Sequence, residues 1–180
     1  RGPASAGGAR ARVEAVMMTD ALGAWLQRPR RLYGATALVA LALIGGALYL
    51  QHANELEPCP LCILQRYAFT FVALFAALAA AVPRRASIGS ALLAVACART
   101  GAGIAAWHVR LQLFPPEESA CGPSLQYLLS NLPLGRALPR IFQGYGDCTQ
   151  VDWTFLGLSL PGWAGVWLLA LGAVLIVAVR

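Results

Sequence analysis

Five cysteines, Cys59, Cys62, Cys97, Cys121 and Cys148, are the residues of this chain best suited to chemistry. Cys59-Pro60-Leu61-Cys62 has the spacing of a small reducible ring, in which one thiol often has a lowered pKa. Leaving aside Cys97, which falls inside an apolar run, four cysteines allow three connectivities. A Cys59–Cys62 ring leaves Cys121 to pair with Cys148. Two alternatives stay open at this point: two purely structural disulfides, or four thiolates around a metal. Zinc sites use paired C-x2-C elements, and only one pair here has that spacing, so no metal is expected. Two pairs suit a relay, because disulfide exchange runs by thiolate attack through a mixed disulfide. One pair can meet a soluble dithiol protein while the other hands electrons to an acceptor in lipid.

Two other polar residues lie close to this chemistry in sequence terms. Arg66 follows Cys62 by four positions, one helical turn on the same face. An arginine that deep in a membrane is costly unless paired, and a Cys62 thiolate or the reduced oxygen of an electron acceptor would pair with it; the bland reading is snorkelling to the interface. His108 closes an apolar run and can donate a proton or hydrogen bond to an acceptor's oxygen, or simply mark the interface, as His52 does. Arg99 is expected toward the inner half of a bundle, bonded to carbonyls, and Cys97 is expected to be an inert packing residue.

The elements that must position these groups are membrane helices. Of 180 residues, 58% are hydrophobic and 12% charged, against roughly 45–50% and 25% in soluble domains. Four runs reach the roughly 20 residues a bilayer requires, with spans expected at about 32–51, 63–82, 86–107 and 160–179. In lipid each must be a helix. All 14 basic residues are arginine, against eight acids. Their placement at the ends of apolar runs argues for a membrane rather than nucleic acid. The stretch Arg1–Arg31, the link at Arg84 and Arg85, and Arg180 hold nine arginines, which predicts both termini on the cytoplasmic side and both cysteine loops outside. Residues 1–31 read as a disordered cytoplasmic tail whose first residues are a gene-start artefact, and 32–180 as the membrane domain. A basic tail before an apolar run also describes a signal peptide; the run from Leu32 is longer than such a core, so a retained anchor is expected. The stretch between spans three and four holds Leu125, Leu128, Leu129 and Leu132 at helical spacing, suiting either the membrane surface or the loop's own interior. Trp107, Tyr127, Trp153 and Trp163 suit an interfacial belt.

The segment Gln51-His52 through Pro58-Cys59-Pro60-Leu61-Cys62-Ile63-Leu64-Gln65-Arg66 resembles the first periplasmic loop of the DsbB family. Leu111-Gln112-Leu113-Phe114-Pro115 ahead of Cys121, Gly146-Asp147-Cys148, and Trp153 through Trp163 resemble its second loop and the start of its last helix. The likeness covers about Leu32–Val179. It implies a four-helix membrane bundle in the bacterial inner membrane that reoxidises a periplasmic DsbA-like dithiol protein and passes the electrons to ubiquinone or menaquinone. It implies that Cys121, disulfide partner of Cys148, forms the mixed disulfide with the DsbA-like protein. Cys59 and Cys62 would be the pair beside the quinone, Cys62 in contact with it, and Arg66 and His108 would bind it. Cys97 departs from the family pattern, and Arg99 to His108 is one residue longer than the pattern. A vitamin K epoxide reductase-like enzyme also joins CxxC, loop cysteines and a quinone, but carries its CxxC late in the chain. A membrane protein with two merely stapled loops is the non-enzymatic alternative.

Overall fold

Prolines set the helix boundaries. In the computed structural model, which describes Met17 and residues 28–55, 58–115, 147–151 and 153–180, four long helices carry the chain: α1 (Pro29–Ala53), α2 (Pro60–Ala81), α3 (Arg84–Leu113) and α4 (Leu160–Val179). Proline stands at the first or second position of α1, α2 and α4, where its missing N–H costs nothing. Pro83 both ends α2 and caps α3. It drives Val82 into extended backbone, as the residue before a proline must be. All four helices are long and apolar enough to cross a membrane.

Two helices outrun their expected spans. α1 starts at Pro29 rather than Leu32, and α3 continues past Trp107 to Leu113. Hydropathy sees only the apolar part of a helix, whereas backbone hydrogen bonding carries α3 on until Phe114, just before Pro115. The expected tail helix-free region 1–27, apart from Met17, and the leucine face at 125–132 lie outside the described residues.

The helices form a ring in which α1 packs on α2, α2 on α3, α3 on α4 and α4 back on α1, with little contact across the α2–α4 diagonal. Small residues permit the close approach. The core is built from Ala37 and Ala40 of α1, Ala73, Ala76 and Ala79 of α2, Ala91, Ala94 and Ala98 of α3, and Leu168, Leu171 and Leu175 of α4. Without a hydrophobic driving force between helices in lipid, such packing supplies the association energy. Gly101 shows how tight it is: a Cβ there would stand 2.6 Å from Ala68 Cβ and 2.9 Å from Leu168 Cδ1. Leu38, Leu41, Tyr49, Leu74 and Leu169 point outward, exposed as lipid-facing residues must be.

Cross-helix hydrogen bonds show successive helices running in opposite directions. Tyr33 Oη, near the start of α1, donates to the Ala178 carbonyl at the end of α4 (3.1 Å), and Ser87 Oγ at the start of α3 donates to the Ala79 carbonyl at the end of α2 (2.7 Å). At the other end a two-residue hairpin precedes α4: β1 (Thr154–Phe155) pairs antiparallel with β2 (Leu158–Ser159). Its central residues, Leu156 (φ 51°) and Gly157 (φ 80°), both take positive φ, as the favoured hairpin turn demands. Arg99 departs from its expected place. It lies exposed on the outer side of α3, away from the bundle interior, and Cys97 is half-buried against the core.

Candidate active site

The first turn of α2 organises the site. Cys59 is its N-cap, in extended conformation, and Sγ accepts a hydrogen bond from the Cys62 N–H (3.3 Å). Pro60 presets the first helical φ, and the ring turns so that Cys59 and Cys62 meet as thiols, Sγ to Sγ 3.0 Å. That separation is beyond the roughly 2.05 Å of a disulfide, so the Cys59–Cys62 bridge expected from sequence is not formed here; the pair stands as a dithiol. The adjacent Cys62 sulfur and burial push the Cys59 thiol well up from its ordinary value, while the N–H groups of Cys62 and Leu61 act in the opposite direction.

His108 seals the pair from the α3 side. Its ring is buried, with Nε2 3.6 Å from Cys59 Sγ and Nδ1 3.2 Å from Nε2 of the buried Gln65 amide. The ring also hydrogen-bonds the Cys148 backbone. The Gln65 amide and the Cys59 sulfur thus stand against the two ring nitrogens of His108. Gln65, one residue before Arg66, was not singled out from the sequence; its place beside Arg66 on α2 carried no signal of its own, since polar residues near a helix start are common.

Cys148 completes the cluster. It is fully buried and disulfide-bonded. A turn over residues 147–150 presents it. Asp147 Oδ1 accepts from Thr149 N–H (2.9 Å) and Thr149 Oγ1 (2.8 Å), which holds the Asp147 carboxyl below its ordinary range, and the Gln150 N–H donates to the Asp147 carbonyl (3.3 Å). Gln112 of α3 clamps this turn to α4, donating to the Gln150 carbonyl (3.2 Å) and accepting from Ser159 Oγ (2.7 Å). Cys59 Sγ, a His108 ring nitrogen and Cys148 Sγ all lie within 4.8 Å of one another. Those are metal-ligand atom types, but a disulfide sulfur is not the thiolate a metal takes. Cys121 falls outside the described residues.

Two cavities meet at Cys62. One, of about 420 Å³, is apolar and lies between α1, α2 and the start of α4, lined by Leu43, Ile44, Leu50, Phe69, Phe155, Trp163 and Trp167. Its aromatic wall is ordered: Trp153 stacks on Phe155 at 6.0 Å, Phe155 on Trp163 at 6.1 Å, and Trp163 Nε1 donates to the Phe155 carbonyl (2.9 Å). The other, of about 60 Å³ and called the polar cavity for the side chains it gathers, sets Gln51, Cys59, His108, Gln112, Asp147 and Gln150 against apolar walls from Leu50, Pro58 and Leu160. Cys62, Arg66 and Trp153 line both. Arg66 lies at the edge of both cavities. His108 lines only the polar one, so the structure brings it to the cysteines and not to the apolar cavity. Gln51, one of its lining residues, has a buried Oε1 with no hydrogen-bond partner among the described residues.

A membrane bundle with a dithiol and a disulfide stacked over an aromatic cavity narrows the families that fit. Residues 29–178 match the family model described as disulfide bond formation protein DsbB. The chain belongs to the DsbB family. Disulfide bond formation protein B of Aromatoleum aromaticum is 46% identical over 153 residues, 83% of this chain and 92% of that protein. The namesake from an Azoarcus species is 48% identical over 158 residues, 85% of this chain and 92% of its own length. That of Methylococcus capsulatus is 51% identical over 140 residues, 76% and 85% respectively. This DsbB-family chain is thus a multi-pass membrane oxidoreductase of disulfide bond formation, and the vitamin K epoxide reductase-like and stapled-loop alternatives fall away.

Proposed function

We propose that the chain reoxidises a DsbA-like dithiol protein outside the bacterial inner membrane and delivers the electrons to a membrane quinone. The observation that carries this reading is the position of Cys62, whose residue borders both the cluster holding the loop disulfide and the apolar cavity that opens among membrane helices. Cys121 is assigned as the partner of Cys148, since Cys59 and Cys62 stand as thiols and Cys97 is free. Arginine asymmetry supports cytoplasmic termini and periplasmic loops.

The residues fit a quinone. The apolar cavity lies within the 300–1,000 Å³ usual for small-molecule sites. Its aromatic wall suits a flat ring, and its polar edge is formed by Cys62, Gln65 and Arg66. Arg66 offers a planar guanidinium where negative charge develops, and the aromatic hairpin keeps water out. A bound quinone supplies a sink for two electrons and two protons.

The cysteines then act in order. A thiolate of the partner attacks Cys121, releasing Cys148, and the partner's second thiol displaces Cys121 to leave with its own disulfide. With the Cys59–Cys62 pair oxidised, the Cys148 thiolate is near enough to Cys59, within 4.8 Å in the present geometry, to attack it and expel Cys62 as a thiolate beside Arg66. Cys121 attacks Cys148 in turn, restoring the loop disulfide and leaving Cys59 and Cys62 reduced, the state seen here. His108 Nε2 faces the Cys59 sulfur on which charge appears during these exchanges.

Trapping tests this order. Cys148→Ala should accumulate a mixed disulfide between Cys121 and a DsbA-like protein; an adduct through Cys59 instead would overturn the sequence of steps. Mass spectrometry of the lipid-soluble cofactor that copurifies in detergent reads the quinone directly. A membrane-impermeant thiol reagent on reduced spheroplasts should label the loop cysteines, and labelling only after lysis would reverse the orientation.

A further inference from the structure

Three cysteines and a histidine gather at the loop end, and their spacing approaches that of a zinc site. Zinc held by three thiolates and an imidazole takes Zn–S bonds of about 2.3 Å and a Zn–N bond of about 2.0–2.1 Å. In a tetrahedron that sets the sulfurs roughly 3.8 Å apart and each sulfur roughly 3.6 Å from the nitrogen. Cys59 Sγ lies 3.6 Å from His108 Nε2, and Cys59 Sγ, a His108 ring nitrogen and Cys148 Sγ fall within 4.8 Å of one another. Cys62 Sγ stands 3.0 Å from Cys59 Sγ, on a half-buried side chain that lines the polar cavity, so the pair has room to open. The supporting contacts are also in place. A ligating histidine needs an acceptor at its other nitrogen. Nδ1 of His108 is 3.2 Å from the Gln65 amide, and a half-turn of that amide presents its oxygen. Cys148 sits in a turn held independently of its disulfide, by Asp147 to Thr149 and by Gln112 to Gln150. In the form seen here the disulfide keeps Cys148 from ligating. A protein of disulfide bond formation opens its own disulfide whenever it oxidises a client: two electrons and two protons from the client dithiol convert the Cys148 bridge into two thiols. Cys59 and Cys62 are thiols already.

We propose that the fully reduced chain binds one zinc ion between Cys59, Cys62, His108 and Cys148. The ion displaces the three thiol protons to solvent, and no electron moves. Zinc then occupies both Cys59 and Cys148, the sulfurs that must meet in disulfide exchange, and holds the reduced protein out of that exchange. Asp147 takes no part; its carboxylate is exposed and turned onto Thr149. The inference rests on the disulfide-forming class of the protein and goes beyond the quinone reading.

The test uses the full-length chain in detergent, without a histidine tag and with Cys97→Ala to remove a bystander thiol. The protein is reduced with a phosphine and desalted without oxygen. The probes are zinc, titrated against a chromophoric chelator, and cobalt(II), whose thiolate charge-transfer and tetrahedral d–d bands report the ligand set. The reduced chain should take one equivalent of zinc and release about three protons to a pH dye. The same chain with its disulfides closed should take none. Cys148→Ala and His108→Ala should each weaken zinc binding at least about tenfold, the effect expected when a ligand is lost. His108→Cys, which replaces one ligand with another, should keep zinc within about tenfold and strengthen the cobalt charge-transfer band, even if the alanine variant folds poorly. Cys121→Ala and Asp147→Asn should stay within about threefold. Equal binding before and after reduction overturns the proposal. So does binding that survives both Cys148→Ala and His108→Ala, which would put the metal on the Cys59–Cys62 pair alone. Loss of binding in Cys121→Ala would place the ion in the loop and overturn it equally. A chain that takes zinc as expected yet reduces no quinone leaves the zinc site standing and ends the quinone reading; one that reduces quinone and takes no zinc does the reverse.

Discussion

The two ends of this bundle are built from the same four helices and are opposite in character. At the end holding the termini, alanines and leucines interlock around Ala40, Ala79, Ala91 and Leu175, each fully buried, and the polar groups Tyr33 and Ser87 are satisfied by backbone carbonyls across helices. At the loop end the helices part around two cavities, a buried acceptor lacks a partner among the described residues, and two thiols press together at 3.0 Å. A buried unsatisfied polar atom costs roughly 1–3 kcal/mol. The sealed end can supply the stability that lets the reactive end carry such features. Stability and activity should therefore separate along the helices.

The largest effect should come from Cys62→Ala, which removes the thiol that borders both cavities. Quinone reduction by a reduced DsbA-like protein should fall below detection, with the denaturation midpoint nearly unchanged. Residual turnover would mean that Cys59 reaches the apolar cavity by itself. The mirror-image variant is Leu175→Ala at the sealed end. It should destabilise the fold by about 2–5 kcal/mol, the usual range for a buried leucine, measured by denaturant titration in mixed micelles, with kcat of the folded fraction retained. A loss of kcat at full folding would break the separation of the two ends.

Arg66→Ala should cost about 1.5–3 kcal/mol in quinone reduction, on the order of 10–150-fold, with thiol exchange between the loop pair and its partner near normal. Arg66→Lys should recover only part, since a point charge replaces a planar fork. Unchanged quinone kinetics would mean that the guanidinium merely snorkels.

A smaller change is expected at Gln65. Gln65→Glu offers an acceptor to Nδ1, so the ring proton should sit there, and nitrogen NMR of His108 should show that tautomer. A proton on Nε2 in this variant would show that a contact other than Gln65 sets the ring. The smallest effect is on pH. Hydrogen bonds from Thr149 hold the Asp147 carboxyl below its ordinary value. Its contribution is present above the unfolded pKa and is lost as pH falls through the depressed folded one. Amide exchange in residues 147–150 should speed up only in acid below the ordinary carboxylate range, by less than about threefold for so exposed a group. Equal acceleration in Asp147→Asn would assign the effect elsewhere.

Much of this protein is legible in one dimension. Four runs of about 20 apolar residues allow only helices in lipid, because their backbones need internal partners. Proline at Pro60, Pro83 and Pro161 marks where those helices begin, and Cys59-Pro60-Leu61-Cys62 reads as a redox pair because a first helical turn brings two sulfurs together. The i, i+4 spacing places Arg66 beneath Cys62 for the same local reason. Only the tertiary structure decides what lies across from that turn. His108 is 49 positions from Cys59 and Cys148 is 89, and nothing in helix periodicity says which side of the pair each approaches. The packing of α3 on α2, tight enough to require Gly101, sets the His108 ring against Cys59 and Gln65. Arg99 goes the other way, outward, because its face of α3 lies opposite that same contact. The partly open polar cavity, with Gln51 at its wall, exists only where α1, α2, α3 and the turn at Asp147 converge. Local sequence specifies which groups a helix carries; which of them meet depends on the angle at which whole helices pack.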